Sequence, residues 1–152
     1  MGSNIPYFDT SYLVRLYLRD PGYEAVRQLA GSAAVVASAW HAQSEIMAAF
    51  HRGLREGRLQ QGAYRSALAQ FLTDSKDGLF HWLPLTDAIH ERLEQFFWHA
   101  PATTFLRAAD ALHLACAAEY GFKQVYSNDR HFLAAASLFR LKAINIIASP
   151  AS

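Results

Sequence analysis

No apolar run in this chain is longer than a short strand needs, and nearly every such run is followed at once by a helical pattern. Ile5 to Phe8 ends at Asp9, and from Thr10 the apolar positions fall at helical spacing until Asp20-Pro21-Gly22 breaks them. Further strands are expected at Ala34 to Ala37, Trp82 to Leu85, Gln124 to Tyr126 and Ala143 to Ile147. Helices are expected over about 23–30, 40–56, 60–73, 87–98, 105–120 and 129–136, with Asp74 to Gly78 as a turn and His99 to Thr104 as a loop. No two-residue hairpin turn joins any pair of strands, so the strands must run parallel, with crossover helices on both faces of the sheet. That is an α/β sandwich. The 27 alanines and 18 leucines outnumber the 11 valines and isoleucines, which favours helices and excludes an all-β fold. A length of 152 residues holds one domain, read as residues 4–149, with Met1-Gly2-Ser3 taken as a cloning remnant.

The single cysteine, Cys116, rules out a disulfide framework and points to a reducing, cytoplasmic setting, where it reads as a small core residue. No charged-then-apolar leader and no apolar run of about 18 residues is present, so no membrane partner is expected. A net charge of +1 excludes a broadly basic nucleic-acid coat. Eleven of the fourteen basic residues are nevertheless arginine, whose planar fork grips phosphate or carboxylate, so local clusters can still hold a polyanion. Hydrophobic residues make up 52%, enough for a partner-covered apolar face as well as a core.

Four carboxylates occupy special positions: Asp9 after the first strand, Glu45 one turn into the long helix, Asp110 early in a helix and Asp129 after the fourth strand. Each has apolar neighbours, so each is partly desolvated, and gathered together they repel unless a cation intervenes. Taken singly, any of them also serves as a helix cap or a helix-dipole partner. Oxygen-only ligands suit the hard cations Mg2+ or Mn2+. Arg52, seven positions after Glu45, and Arg107, one turn before Asp110, are placed either to hold a substrate phosphate or to form ion pairs on a solvated face. His113 reads as an imidazole that orients its helix by hydrogen bonds. His90-Glu91-Arg92-Leu93-Glu94 lacks the second histidine that a metalloprotease helix needs. Trp82, Phe96, Phe97 and Trp98 read as core or interface rather than as base-stacking platforms.

Four strings carry a resemblance: Tyr7-Phe8-Asp9-Thr10-Ser11 through Tyr17, Ser44-Glu45-Ile46, Arg107-Ala108-Ala109-Asp110-Ala111-Leu112-His113 through Ala115, and Tyr126-Ser127-Asn128-Asp129-Arg130-His131-Phe132. In order and interval, over residues 6 to 147, the chain resembles the PIN domain, specifically a VapC-type toxin. The resemblance implies a three-layer sandwich with a five-stranded parallel sheet, and a metal-dependent ribonuclease of a toxin-antitoxin pair. Asp9, Glu45, Asp110 and Asp129 become the acidic quartet that holds one or two Mg2+ or Mn2+ ions, with Asp9 and Asp110 as the direct ligands and Glu45 and Asp129 completing the metal site. Ser11 and Ser127 would hydrogen-bond the acids or a metal-bound water. The implied substrate is a structured RNA, a tRNA or an rRNA loop, cut to 5′-phosphate and 3′-hydroxyl ends. The implied partners are a VapB-like antitoxin and a second copy of the chain. The alternative is a catalytically inert PIN module that binds RNA or protein, against which the complete set of acids argues.

Overall fold

The computed structural model describes residues 5–147. The three residues read as a cloning remnant, and both expected domain edges at 4 and 149, lie outside the described residues. Seven helices appear in chain order: α1 (Thr10–Val14), α2 (Tyr23–Gly31), α3 (Ala42–Arg55), α4 (Gln61–Lys76), α5 (Asp87–His99), α6 (Ala108–Glu119) and α7 (Arg130–Ala135). A 3-10 turn, Ala136–Phe139, follows the last. The strands are β1 (Val36–Ala39), β2 (Phe80–Leu83), β3 (Gln124–Tyr126) and β4 (Lys142–Ile144).

β1 pairs in parallel with β2, and β3 in parallel with β4. The expected first strand, Ile5 to Phe8, is instead a two-residue seam: Tyr7 bridges Ala37 and Phe8 bridges Tyr126, both in parallel. The Ala37 amide donates to the Pro6 carbonyl at 2.9 Å and the Phe8 amide to the Ala37 carbonyl at 3.0 Å. On the other side the Tyr126 amide donates to the Tyr7 carbonyl at 2.9 Å, and the Asp9 amide to the Tyr126 carbonyl at 3.0 Å. Five parallel segments therefore lie in the order β2, β1, seam, β3, β4, although only four of them are strands. The seam is short for two reasons. Pro6 has no N–H to extend the ladder, and Asp9 already caps the following helix.

Successive residues of the sheet point to opposite cores. Tyr7, Ala37 and Leu83 join Ile89, Leu114 and Phe132 on one face. Phe8, Val36 and Phe80 join Leu13, Ile46, Phe50 and Phe71 on the other. All four residues of β1 are buried, as a central parallel strand with helices on both faces requires. The sandwich expected from the sequence is thus present, with strand edges shifted by about two residues.

The first helix departs most from expectation, ending at Val14 rather than near Asp20. The Arg27 guanidinium explains the stop: Nε donates to the Arg15 carbonyl at 2.9 Å and Nη2 to the Leu18 carbonyl at 3.3 Å. Carbonyls that a longer helix would have paired internally are satisfied by a side chain from α2. Among the described residues no helix is long and apolar enough to cross a membrane.

Gly22, at φ +89°, turns the chain into α2, and a Cβ there would meet Ile147 Cγ2 at 2.4 Å. Gly22→Ala should therefore lower the unfolding free energy by about 1–3 kcal/mol in a urea titration. Gly31→Ala, with nothing within 4 Å of the added carbon, should be neutral or stabilising.

Candidate active site

The seam has β1 on one side and β3 on the other, so the connections that follow its carboxyl end and that of β3 leave in opposite directions. A parallel sheet opens a crevice at such a switch point. The expected acids gather there. Asp9 follows the seam and caps α1, Asp129 follows β3 and caps α7, Glu45 lies in the first turn of α3, and Asp110 in the first turn of α6.

Asp9 is 3% exposed. Its Oδ1 accepts from the Ser11 hydroxyl at 2.6 Å and the Tyr12 amide at 3.1 Å, and its Oδ2 accepts from the Ser127 hydroxyl. The same two serines reach the next loop: the Asp129 amide donates to Ser127 Oγ at 2.9 Å and the Asn128 amide to Ser11 Oγ at 3.1 Å. Burial raises the Asp9 pKa, and the Ser11 and Ser127 hydroxyls, His113 and the Tyr12 amide hold that rise back. Both serines thus bond the acid.

Asp129 accepts the His131 and Phe132 amides on Oδ1, at 2.9 and 3.0 Å. Its other oxygen has no protein donor among the described residues. Asp110 has no side-chain donor at all among them, and its pKa is pushed up to about 6, by burial first and then by Asp129, with Asp9 and Glu45 adding to the rise and His113 opposing it. Carboxylates from three other segments therefore act on Asp110.

Glu45 sits in a second network that the sequence reading did not anticipate. Its Oε1 accepts from the Thr10 hydroxyl at 2.8 Å and from His113 Nε2 at 3.0 Å, and lies 3.3 Å from His41 Nε2. Burial pushes the Glu45 pKa up, but His113 and the Thr10 hydroxyl outweigh it, with His41 adding to them, and the net shift is downward. His113 is fully buried, and the network closes with Nε2 carrying the proton while Nδ1 accepts from the Tyr7 hydroxyl at 2.8 Å. It positions a site carboxylate as well as its own helix. His41 Nε2 lies 3.1 Å from the Ala109 carbonyl, and burial, helped by His113, lowers the His41 pKa to about 4. The one available signal for His41 was its place four residues before Glu45, one helical turn away.

The two arginines separate. Arg52 pairs with Glu56 at 2.8 Å on an exposed surface, and Arg58 shares that partner. Arg107, the exposed residue that precedes α6, makes no ion pair among the described residues.

The Asp110 carboxylate, Asp129 Oδ2 and Glu45 Oε2 keep lone pairs that no protein group takes among the described residues, and all are oxygen, so the residues fit Mg2+ or Mn2+. Their spacing is open. Among the described residues, the group of three potential ligands whose donor atoms all lie within 4.8 Å of one another is His41, Glu45 and His113.

A sequence model of the PIN domain matches residues 7–138, and the chain belongs to that family. The fold is similar to that of Mycobacterium tuberculosis VapC20, described as a sarcin-ricin loop cleaving toxin, with 21% identity, a TM-score of 0.65, and coverage of 85% of this chain and 93% of that one. It is also similar to a chain of VapBC2 from Rickettsia felis, solved bound to a DNA fragment from their promoter, with 14% identity, a TM-score of 0.63, and coverage of 93% and 98%. Comparison with curated proteins gives no match.

Linkage fixes the sign of one expected effect. The folded-state pKa of Asp110 lies above its ordinary value of 3.8, so its ionisation opposes folding as pH rises through about 6 and has no effect well below 4. Without added divalent cation, Asp110→Asn should raise stability at pH 7.5. The gain should be on the order of 1 kcal/mol, less than the full linkage value because the carboxyl keeps part of its water, and it should vanish at pH 3. Urea titrations at the two pH values check this, and an equal effect at both would show that charge is not its cause.

Proposed function

We propose that this PIN-domain protein is a divalent-cation-dependent endoribonuclease of the VapC toxin type. The observation that carries the reading is Asp110: a half-buried carboxyl with no protein donor among the described residues, raised to about 6 by burial and by three other carboxylates at the carboxyl edge of a parallel sheet. A purely binding module gains nothing from that repulsion. Fold similarity to VapC20 and to a chain of VapBC2 supports the toxin reading.

Asp9, Glu45, Asp110 and Asp129 would hold Mg2+ or Mn2+. Bound there, the cation supplies a Lewis acid that lowers the pKa of water and neutralises charge on phosphate. The chain's own residues do the positioning. Ser11 and Ser127 fix Asp9 through both of its oxygens, and the α7 amides fix Asp129 through one oxygen and leave the other free. Thr10 and His113 hold Glu45 through Oε1, turning Oε2 over to the site. Arg107 is exposed beside Asp110 and is the arginine to receive a substrate phosphate, whereas Arg52 is engaged by Glu56. Attack of water on phosphorus with departure of the 3′ oxygen gives 5′-phosphate and 3′-hydroxyl ends and needs no ribose hydroxyl.

The substrate is a structured RNA, a tRNA or an rRNA loop, and a VapB-like antitoxin restrains the activity in the cytoplasm. Exposed Trp98, Phe97, Phe105 and Trp40 offer apolar surface for that antitoxin or for a second copy of the chain in a homodimer.

The purified chain should cleave structured RNA with Mg2+ or Mn2+ and lose the activity in EDTA. Asp9→Asn and Asp110→Asn should each lower the rate by more than about a hundredfold, the scale of losing one major charge-stabilising group. Gel assays of end chemistry check this. Cleavage that persists in EDTA, or above about a tenth of the parent rate in either variant, would overturn the reading.

A further inference from the structure

The group of three potential ligands that closes to within 4.8 Å is not the all-oxygen quartet. It contains two imidazoles and one carboxylate. His41 and Glu45 are one turn apart on α3, and His113 reaches them from α6. His113 Nε2 lies 3.0 Å from Glu45 Oε1, His41 Nε2 lies 3.3 Å from the same oxygen, and the two rings are 4.4 Å apart between centroids. Ligand atoms bound at about 2.0–2.1 Å in a tetrahedron stand roughly 3.3–3.4 Å from one another, so the two edges to Glu45 are close to those of a zinc-sized ion, and the edge between the imidazoles is at most 4.8 Å. The Ala109 carbonyl, 3.1 Å from His41 Nε2, lines the same spot.

We propose that His41, Glu45 and His113 form a second cation site, selective for a borderline first-row dication of the zinc type and sharing Glu45 with the carboxylate crevice. Imidazole nitrogen suits zinc, cobalt and nickel, whereas carboxylate and water suit magnesium, so the two halves of the crevice select different ions. Binding through Nε2 requires each ring to carry its proton on Nδ1. In His113 the Tyr7 hydroxyl, 2.8 Å from Nδ1, accepts that proton's hydrogen bond instead of donating one, which is the outer support that metal-bound histidines ordinarily have. In His41 the buried Nδ1 has no partner among the described residues, so moving the proton onto it gives up the bond to the Ala109 carbonyl and leaves an unpaired N–H, a cost that ion binding has to exceed. The ion would take Glu45 Oε1 away from Thr10 and His113, and turn the carboxylate from the crevice. Under the ribonuclease reading, on which this consequence alone rests, zinc at one equivalent inhibits magnesium-dependent cleavage.

The test uses the full chain without RNA and Co2+ as a spectroscopic stand-in for zinc. One equivalent of Co2+ should give the intense visible bands of a four- or five-coordinate ion, which Zn2+ bleaches and millimolar Mg2+ does not. His41→Gln, which keeps a polar side chain of similar reach at a position 15% exposed, should weaken Co2+ and Zn2+ binding by more than about tenfold with an unchanged circular dichroism spectrum. Asp110→Asn, which removes only a crevice carboxylate, should leave the bands in place. Faint octahedral bands displaced by Mg2+, loss of the bands in Asp110→Asn, or equal affinity in His41→Gln would each overturn the proposal. RNA cleavage is scored separately, so absence of cleavage would remove the ribonuclease reading and leave the cobalt result standing.

Discussion

The buried carboxylate of Asp9 ties the molecule together. A charge at that depth costs several kcal/mol unless hydrogen bonds replace its water, and here two hydroxyls and one amide do so. Those donors come from both sides of the joint between the two halves of the sheet. Tyr7 and Phe8 zip β1 to β3, and one residue later Asp9 fastens the start of α1 to the loop that leads into α7 through Ser11 and Ser127. The fold and the site therefore share one constraint: the place where the sheet is joined is also where its acids must meet.

From this constraint the electrostatics follow. Asp129 commits one oxygen to the amides of its own helix and Glu45 one to Thr10 and His113, and Asp110 commits none among the described residues. Asp110 consequently carries the repulsion of the group. Such stored destabilisation is common where a ligand of opposite charge relieves it.

Much of this arrangement was legible in the chain. Asp9 stands directly after an apolar run and Asp129 shortly after Tyr126, where a strand gives way to a helix cap, and Asp110 lies early in an alanine-rich helix. The layered architecture followed from the alternation of short strands and helices. Other features depended on partners far apart in sequence. The seam is shorter than the apolar pattern of Ile5 to Phe8 because Pro6 lacks a donor, and α1 stops early because Arg27 reaches back from α2, a contact that no periodicity records. Arg52 lies on the helical face expected of it, but Glu56, one turn further, takes its charge. His113 was visible only as a helix-orienting ring, since its bond to Glu45 spans 68 residues. His41 went unnoticed because its role exists only once α3 and α6 are side by side.

The central claim is that the repelling carboxylates at the sheet joint constitute a site for a hard dication. It is tested most directly by thermal melts at pH 7.5 with and without millimolar Mg2+ or Mn2+, for the parent and for the double variant Asp9→Asn/Asp110→Asn. Binding to the folded state alone at about 100 times Kd contributes roughly 2.7 kcal/mol, a rise in Tm of about 5–10 °C for a domain of this size. The account predicts that rise in the parent and none in the double variant. Equal rises in both proteins would place the cation elsewhere and contradict it.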